Sequence, residues 1–334
     1  MAILHRWDTS PAGNLPYSLR HVSDAGADFT LPTVKTKAEV AAKAKLLVVL
    51  LAFAWGLNWV AAAFALREVS PWTLRFAGSS IGAATLFIAA ILTGHKLRVP
   101  RGEHIHIMVA GLFNVAGFQI LSGFAQLSGA TTRAIIITYS MPIWTTALSW
   151  LMLGERLNKI GALAFALCVA GLTILVWPLF VDGFPPFVYY SLGCAWSWAF
   201  ATVYIKWVKV TIEPLANAAW QLLFGFLFVA AGSFLFEGYP HLWPLHQLTV
   251  YSIFFVGLFG VGLAHFLWWT IVGRLPASTA SIGALLVPVI GVSASTVILG
   301  ERMSTQDIIG FVLIFVAAAC VLLPQGSRRP EPRA

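Results

Sequence analysis

Between Leu46 and Leu323 the sequence is a succession of mainly apolar stretches, each close to the length of a bilayer's hydrocarbon core and separated by short polar turns. A spanning helix needs roughly 20 such residues, and the interior of a soluble domain could not take up this much apolar surface. Ten stretches can be read, at 45–66, 71–93, 105–127, 132–152, 159–177, 186–206, 214–236, 247–272, 277–298 and 307–323. The breaks carry turn and helix-start residues: Ser70-Pro71, Asp182-Gly183-Phe184-Pro185-Pro186, Glu213-Pro214 and Gly238-Tyr239-Pro240. Most stretches are apolar around their whole circumference, as buried or lipid-facing helices are. The expected fold is an all-α integral membrane protein of ten transmembrane helices.

Charge argues the same way. Only 10% of the residues are charged and 59% are hydrophobic, against about 25% charged in a soluble domain. The net charge of +8 does not point to nucleic acid, because the basic residues are scattered singly through the turns and form no face that could track phosphates. Their distribution reports topology. With the N-terminus inside, fifteen of the 21 Lys and Arg residues fall on the cytoplasmic side and four (Arg67, Arg75, Arg133, Arg302) on the other. The positive-inside rule then puts both termini in the cytoplasm of a cell inner membrane, which demands an even number of spans. Residues 1–40 show no export signal and read as a polar, disordered cytosolic extension; 324–334 read as a cytosolic tail. Cys168, Cys194 and Cys320 lie inside apolar stretches without paired spacing and read as packing residues.

An offset of 146 residues brings two long stretches into register. Gly111-Leu112-Phe113-Asn114-Val115 overlies Gly257-Leu258-Phe259-Gly260-Val261, Pro142 meets Pro288, Ser149 meets Ser295, and Leu153-Gly154-Glu155-Arg156 meets Leu299-Gly300-Glu301-Arg302. A weaker match joins Ala54-Trp55 to Ala195-Trp196 and Ser70-Pro71 to Glu213-Pro214. The halves are 45–177 and 186–323. Five spans per half is odd, so the second half must cross the membrane upside down. Inverted repeats are a signature of secondary transporters, whose site lies where the halves meet.

These residues resemble the ten-helix EamA type of the drug/metabolite transporter superfamily. The likeness rests on Trp55-Gly56-Leu57-Asn58-Trp59, on Ser70-Pro71-Trp72-Thr73-Leu74-Arg75-Phe76, and on the doubled proline helix ending in Gly-Glu-Arg. It covers about 45–323 and carries no substrate specificity: relatives include amino-acid exporters, drug-efflux proteins and nucleotide-sugar or sugar-phosphate carriers. The resemblance implies a central cavity lined by the first, third, fourth, sixth, eighth and ninth helices. The sequence departs from the pattern in having Ala218 where the second repeat would mirror Arg75, and in its long N-terminal segment.

Candidate cavity residues follow from polar groups placed within spans. Trp55 and Asn58 share a face of the first helix, and Trp196 is the pseudosymmetric mate of Trp55. Gln119, Ser122 and Gln126 fall at i, i+3, i+7, a stripe that lipid would not tolerate. Gln119 overlies His265, an ionisable residue well away from any helix end. Thr138, Pro142 and Thr145 form a further stripe, matched by Pro288, and each proline releases a backbone carbonyl. Tyr139, Trp198, Trp268 and Trp269 are additional lining candidates. Arg75 reads as a snorkelling or paired arginine near a helix end, or else as an anion contact. Glu155 and Glu301 read as residues that cap or pair locally.

All 13 acidic residues fall in loops, tails or at helix ends, which leaves no buried carboxylate relay and favours uncoupled movement down a gradient, with His265 the leading proton carrier otherwise. His104-Ile105-His106 and the pair His241 and His246 lack metal-site spacing, and no phosphate-cradling loop is present, so neither an enzyme nor a metal or other cofactor is expected. The expected function is alternating-access transport of a small organic solute by a monomer in a lipid bilayer, with export of amino acids or related metabolites the leading reading. Multidrug efflux and nucleotide- or sugar-derivative exchange are the alternatives on the same fold, and a membrane enzyme or channel the alternative of another class.

Overall fold

The structure, a computed structural model, describes residues 37–156, 158–181, 185–273, 284 and 286–322. Most of the N-terminal segment, the C-terminal tail, Asp182-Gly183-Phe184 and the start of the ninth stretch lie outside the described residues. Two compact units are distinguished, Met1–Ala42 and Lys43–Ala334. Of the first, the described residues are the opening turns of a helix, and the packing below lies within the second.

Every regular element among the described residues is helical. In chain order they are α1 (Lys37–Ala65), α2 (Pro71–Leu92), α3 (His104–Ser128), α4 (Thr131–Leu153), α5 (Lys159–Val181), α6 (Pro186–Trp207), α7 (Pro214–Phe236), α8 (Gln247–Val272), α9 (Leu286–Leu299) and α10 (Thr305–Leu322). Leu46–Ala65 of α1, together with α2, α3, α4, α7 and α8, are long and apolar enough to cross a membrane. Shorter apolar stretches occupy Lys159–Ile174, α9 and Thr305–Ala317.

The starts and stops are local chemistry. Ser70 caps α2, its hydroxyl accepting from the Thr73 N–H at 3.1 Å, with Pro71 at the first helical position. Pro186 and Pro214 open α6 and α7 in the same way. The two Leu-Gly-Glu-Arg turns carry glycines in the left-handed region, Gly154 at φ 67° and Gly300 at φ 70°, where a side chain would be strained. Within α4 the helix is interrupted at Tyr139-Ser140 and restarts at Met141, just ahead of Pro142, which has no N–H to continue the ladder.

Two helices contain π-helical segments, Gly111–Gly117 in α3 and Val256–Leu263 in α8, and the 146-residue offset maps one onto the other. Each packs against a neighbouring helix: α2 on the π segment of α8, and α7 on that of α3. The contacts are reciprocal. A Cβ on Gly82 would lie 2.6 Å from Val261 Cγ1, and one on Gly225 would lie 2.4 Å from Val115 Cβ. Small residues let backbones approach in this way where lipid supplies no hydrophobic drive between helices. Gly225→Ala is therefore expected to destabilise the protein by about 1–3 kcal/mol through overpacking. A lowered melting temperature in detergent would register it.

The distribution of polarity is inverted relative to a soluble protein. Leu235 is 80% exposed and Val297 82%, whereas Gln119, Ser122, Thr138, Gln221 and His265 are buried. α5 packs against α10, and α6 against α3 and α4. Polar turns tie helix ends together. Glu68, after α1, accepts the His246 N–H at 3.0 Å, and Ser70 donates to Glu237. At other turns, Thr211 donates from both its N–H and its hydroxyl to Glu103. The bonds from the Thr249 side chain and the His246 N–H lower the Glu68 pKa below its ordinary value. The support that Glu68 gives is accordingly complete above the ordinary carboxylate range and fades as pH falls through its lowered pKa.

Candidate functional site

A small, largely enclosed hollow of ≈ 20 Å³ lies among α1, α2, α3, α4 and α8. Trp55, Asn58 and Trp59 come from α1, Arg75 from α2, Phe118, Gln119, Ser122 and Gln126 from α3, Tyr139 from α4, and Gly260, Val261 and His265 from α8. That space is about right for a single water, so an organic solute could enter only if helices part. Gln126 also borders a wider mouth of ≈ 290 Å³, lined by Ala63, Leu66, Arg67, Leu127, Gly129, Thr131, Leu299 and Glu301.

One wall of the hollow is aromatic. The Trp55 ring stands edge-on to Trp198 at 5.0 Å between centroids, 5.6 Å from Trp268 and 6.3 Å from His265. Its indole N–H donates to the Gly260 carbonyl at 3.1 Å, inside the π segment of α8. The other wall is polar. Gln126 donates to the Trp59 carbonyl at 2.9 Å, and Gln119 accepts from Ser79 at 3.1 Å. His265 Nδ1 stands 2.8 Å from the Val261 carbonyl. A carbonyl only accepts, so Nδ1 carries the hydrogen and Nε2 of the neutral ring is an acceptor. Among the described residues His265 Nε2, Gln119 Nε2, Gln126 Oε1 and Asn58 Oδ1 are buried without a hydrogen-bond partner.

Arg75 corrects a sequence expectation. It does not snorkel: it is 3% exposed and faces the hollow. Its Nε donates to the Gln119 carbonyl at 2.9 Å and its Nη2 to the Ser122 hydroxyl at 3.1 Å. Placement four residues into α2 suggested an interfacial position, yet the polar stripe of α3 covers it.

Of the residues singled out from sequence, Trp55, Asn58, Gln119, Ser122, Tyr139 and His265 meet around this hollow. Trp268 is fully buried behind Trp55, and Trp269 is buried beside it in sequence. Thr138 and Thr145 are buried in α4, and Pro288 in α9, without bordering the hollow. Pro142 lines a separate apolar cleft with Ala164, Cys168 and Ala317. Trp196 is 40% exposed and packs on Phe113 and Phe200, away from the site. Trp198 takes the inner position because two residues along a helix is a turn of about 200°. Trp59, Phe118 and Gly260 were not singled out individually; Trp59 and Gly260 do fall within the matched sequence motifs. The helices bordering the hollow include α2, which the family resemblance did not imply, and among the described residues neither α6 nor α9, which it did imply, borders it.

Glu301, expected to cap locally, reaches the first half of the chain. Its carboxylate accepts from the Thr131 N–H at 2.9 Å, the Thr132 N–H at 2.7 Å and the Thr132 hydroxyl, capping α4. Arg133 and Asp307 form an ion pair at 3.4 Å nearby in sequence.

Comparison with known proteins decides the family. The model of the EamA-like transporter family matches residues 42–177 and again 186–323. The chain belongs to that family. The "uncharacterized transporter YvbV" of Bacillus subtilis is 30% identical over 283 residues, covering 83% of this chain and 90% of the relative. A "probable amino-acid metabolite efflux pump" of Salmonella typhimurium is 25% identical over 289 residues, covering 80% and 91%. A solved crystal structure shares the fold at TM-score 0.65 and 22% identity, over 84% of this chain and 97% of that one. As an EamA-like protein with at least these long apolar helices, the chain is a multi-pass membrane transporter, and the names of its family and relatives are those of carriers rather than enzymes. Among the described residues no three His, Cys, Asp or Glu side chains are grouped so as to hold a metal.

Proposed function

We propose that this protein exports amino acids or related metabolites across the cell inner membrane by alternating access. It works as a monomer, with ten spans in two inverted halves (45–177 and 186–323) and both termini in the cytoplasm. The observation that carries the reading is the largely enclosed hollow lined jointly by α1–α4 of the first half and α8 of the second. An occluded space at the seam between two halves is what a carrier needs midway through its cycle.

The inverted relation has support of its own. α4 and α9 occupy equivalent places in the repeat, yet Glu301, just past the end of α9, caps the start of α4. Gly291, nearer the start of α9, lies against Ile135, further along α4. Contacts that run in opposite order along two segments are those of antiparallel neighbours. The twofold exchange of α2 and α7 between the two π segments and the repeated family match support the same reading. The amino-acid class is suggested by relatives named as amino-acid metabolite efflux pumps and by a hollow that no carboxylate lines among the described residues.

Purified protein in sealed vesicles, offered radiolabelled amino acids and metabolites in counterflow, tests this directly. Saturable flux is expected for at least one, reduced to background by Gln119→Ala or His265→Ala, which remove buried hollow-facing polar groups. Normal flux in both variants would move the site elsewhere. Transport is expected to proceed without an imposed pH gradient; a strict requirement for one would assign His265 a proton-carrying role instead.

A further inference from the structure

The charge inside the hollow specifies one end of the solute. Among the described residues Arg75 is the single permanently charged side chain lining it, and no carboxylate pairs with its guanidinium. Its two protein acceptors, the Gln119 carbonyl and the Ser122 hydroxyl, are both neutral. They engage one edge of the planar group, Nε and Nη2. The hydrogens of Nη1 and the second hydrogen of Nη2 form the other edge, and a guanidinium has five donors in fixed fork geometry. A buried cation without a counter-charge is unfavourable, so the guanidinium favours an anionic group on its other edge.

We propose that Arg75 receives the carboxylate of the transported solute. This rests on the transport reading above and narrows it. The free Nη1–Nη2 edge matches a carboxylate in two parallel hydrogen bonds, and the unpartnered Gln119 Nε2 adds a donor beside it. With one cation and no second, the site suits a monoanionic group rather than a phosphate ester. The opposite requirement is met by acceptors and π faces: Asn58 Oδ1 and Gln126 Oε1 are buried without donors among the described residues, and Trp55 and Trp59 border the same space. An ammonium can rest on such groups without a carboxylate. A zwitterion therefore fits both ends, whereas a purely cationic solute would face the buried guanidinium with nothing to offset it. The chemistry selects amino acids over the cationic compounds that multidrug carriers handle.

The test uses matched solutes in vesicles: neutral L-amino acids, their amides, and the corresponding decarboxylated amines. Wild-type protein should move at least one acid about tenfold faster than its amide or amine, the ratio expected when a charge-assisted pair is lost. Arg75→Lys should keep the preference for the acid, and Arg75→Gln should bring the acid-to-amide flux ratio close to one. Equal acid and amide flux in the wild type would overturn the proposal and leave the transport reading standing. So would Arg75→Gln lowering both solutes alike, which marks a bracing role between α2 and α3. Vesicles in which the wild type moves none of these solutes, nor any other metabolite in counterflow, would remove the transport reading itself.

Discussion

Glu301→Ala is expected to open the Gln126 end of the hollow. The Glu301 carboxylate is the cap of α4, accepting two backbone N–H groups and the Thr132 hydroxyl. A carboxylate at a helix N-terminus gains from the dipole as well as from the bonds. Losing a helix cap costs about 0.5–2 kcal/mol, and here the cap is also the tie between the end of α9 and the start of α4. Thr131 and Glu301 border the wider cleft, and Gln126 lines both that cleft and the hollow. A shift of about 1.4 kcal/mol between closed and open forms changes their ratio tenfold. With Cys168, Cys194 and Cys320 replaced and Gln126→Cys introduced, the reaction rate with a membrane-impermeant maleimide should rise about tenfold when Glu301→Ala is added. Glu301→Gln, which keeps an acceptor without the charge, should fall between. An unchanged rate would mean that the contact caps a helix and latches nothing.

The features legible in the sequence were those imposed by the bilayer. Lipid tolerates only helices with internally satisfied backbones, so stretch length and turn residues were enough to place α2 and α7 within a residue or two. The polar stripe of Gln119, Ser122 and Gln126 was readable for the same reason, and all three are buried. Three things were not readable. Arg75 sits where arginines commonly reach for water, and its burial depends on how α3 crosses α2, which no local pattern encodes. Trp196 and Trp198 differ by two positions, and the looser alignment of the first helices of each half could not say which faces inward. The π segments left no signal beyond glycines and a shared register; their geometry follows from how closely α2 and α7 approach them. In each case the missing information is helix rotation and crossing, a tertiary quantity.

Trp55→Ala should be the most damaging single change at the hollow, and Trp55→Phe should separate the reasons. The Trp55 ring supports Trp198 and Trp268 and flanks His265, and its N–H satisfies the Gly260 carbonyl. Truncating a packed Trp to Ala costs about 3–5 kcal/mol, and the void would let the aromatic wall relax toward the solute space. Phe keeps much of the packing and forfeits the hydrogen bond, a loss of about 1 kcal/mol. Trp55→Ala should therefore lower the melting temperature strongly and bring flux to background. Trp55→Phe should melt close to the wild type; its flux then reports what the N–H contributes. If Trp55→Phe transports normally, the indole acts as a packing wall alone. If it folds well and transports poorly, the bond to Gly260 holds the π segment of α8 in the geometry that shapes the site. Wild-type flux in Trp55→Ala would show that solutes do not pass this wall.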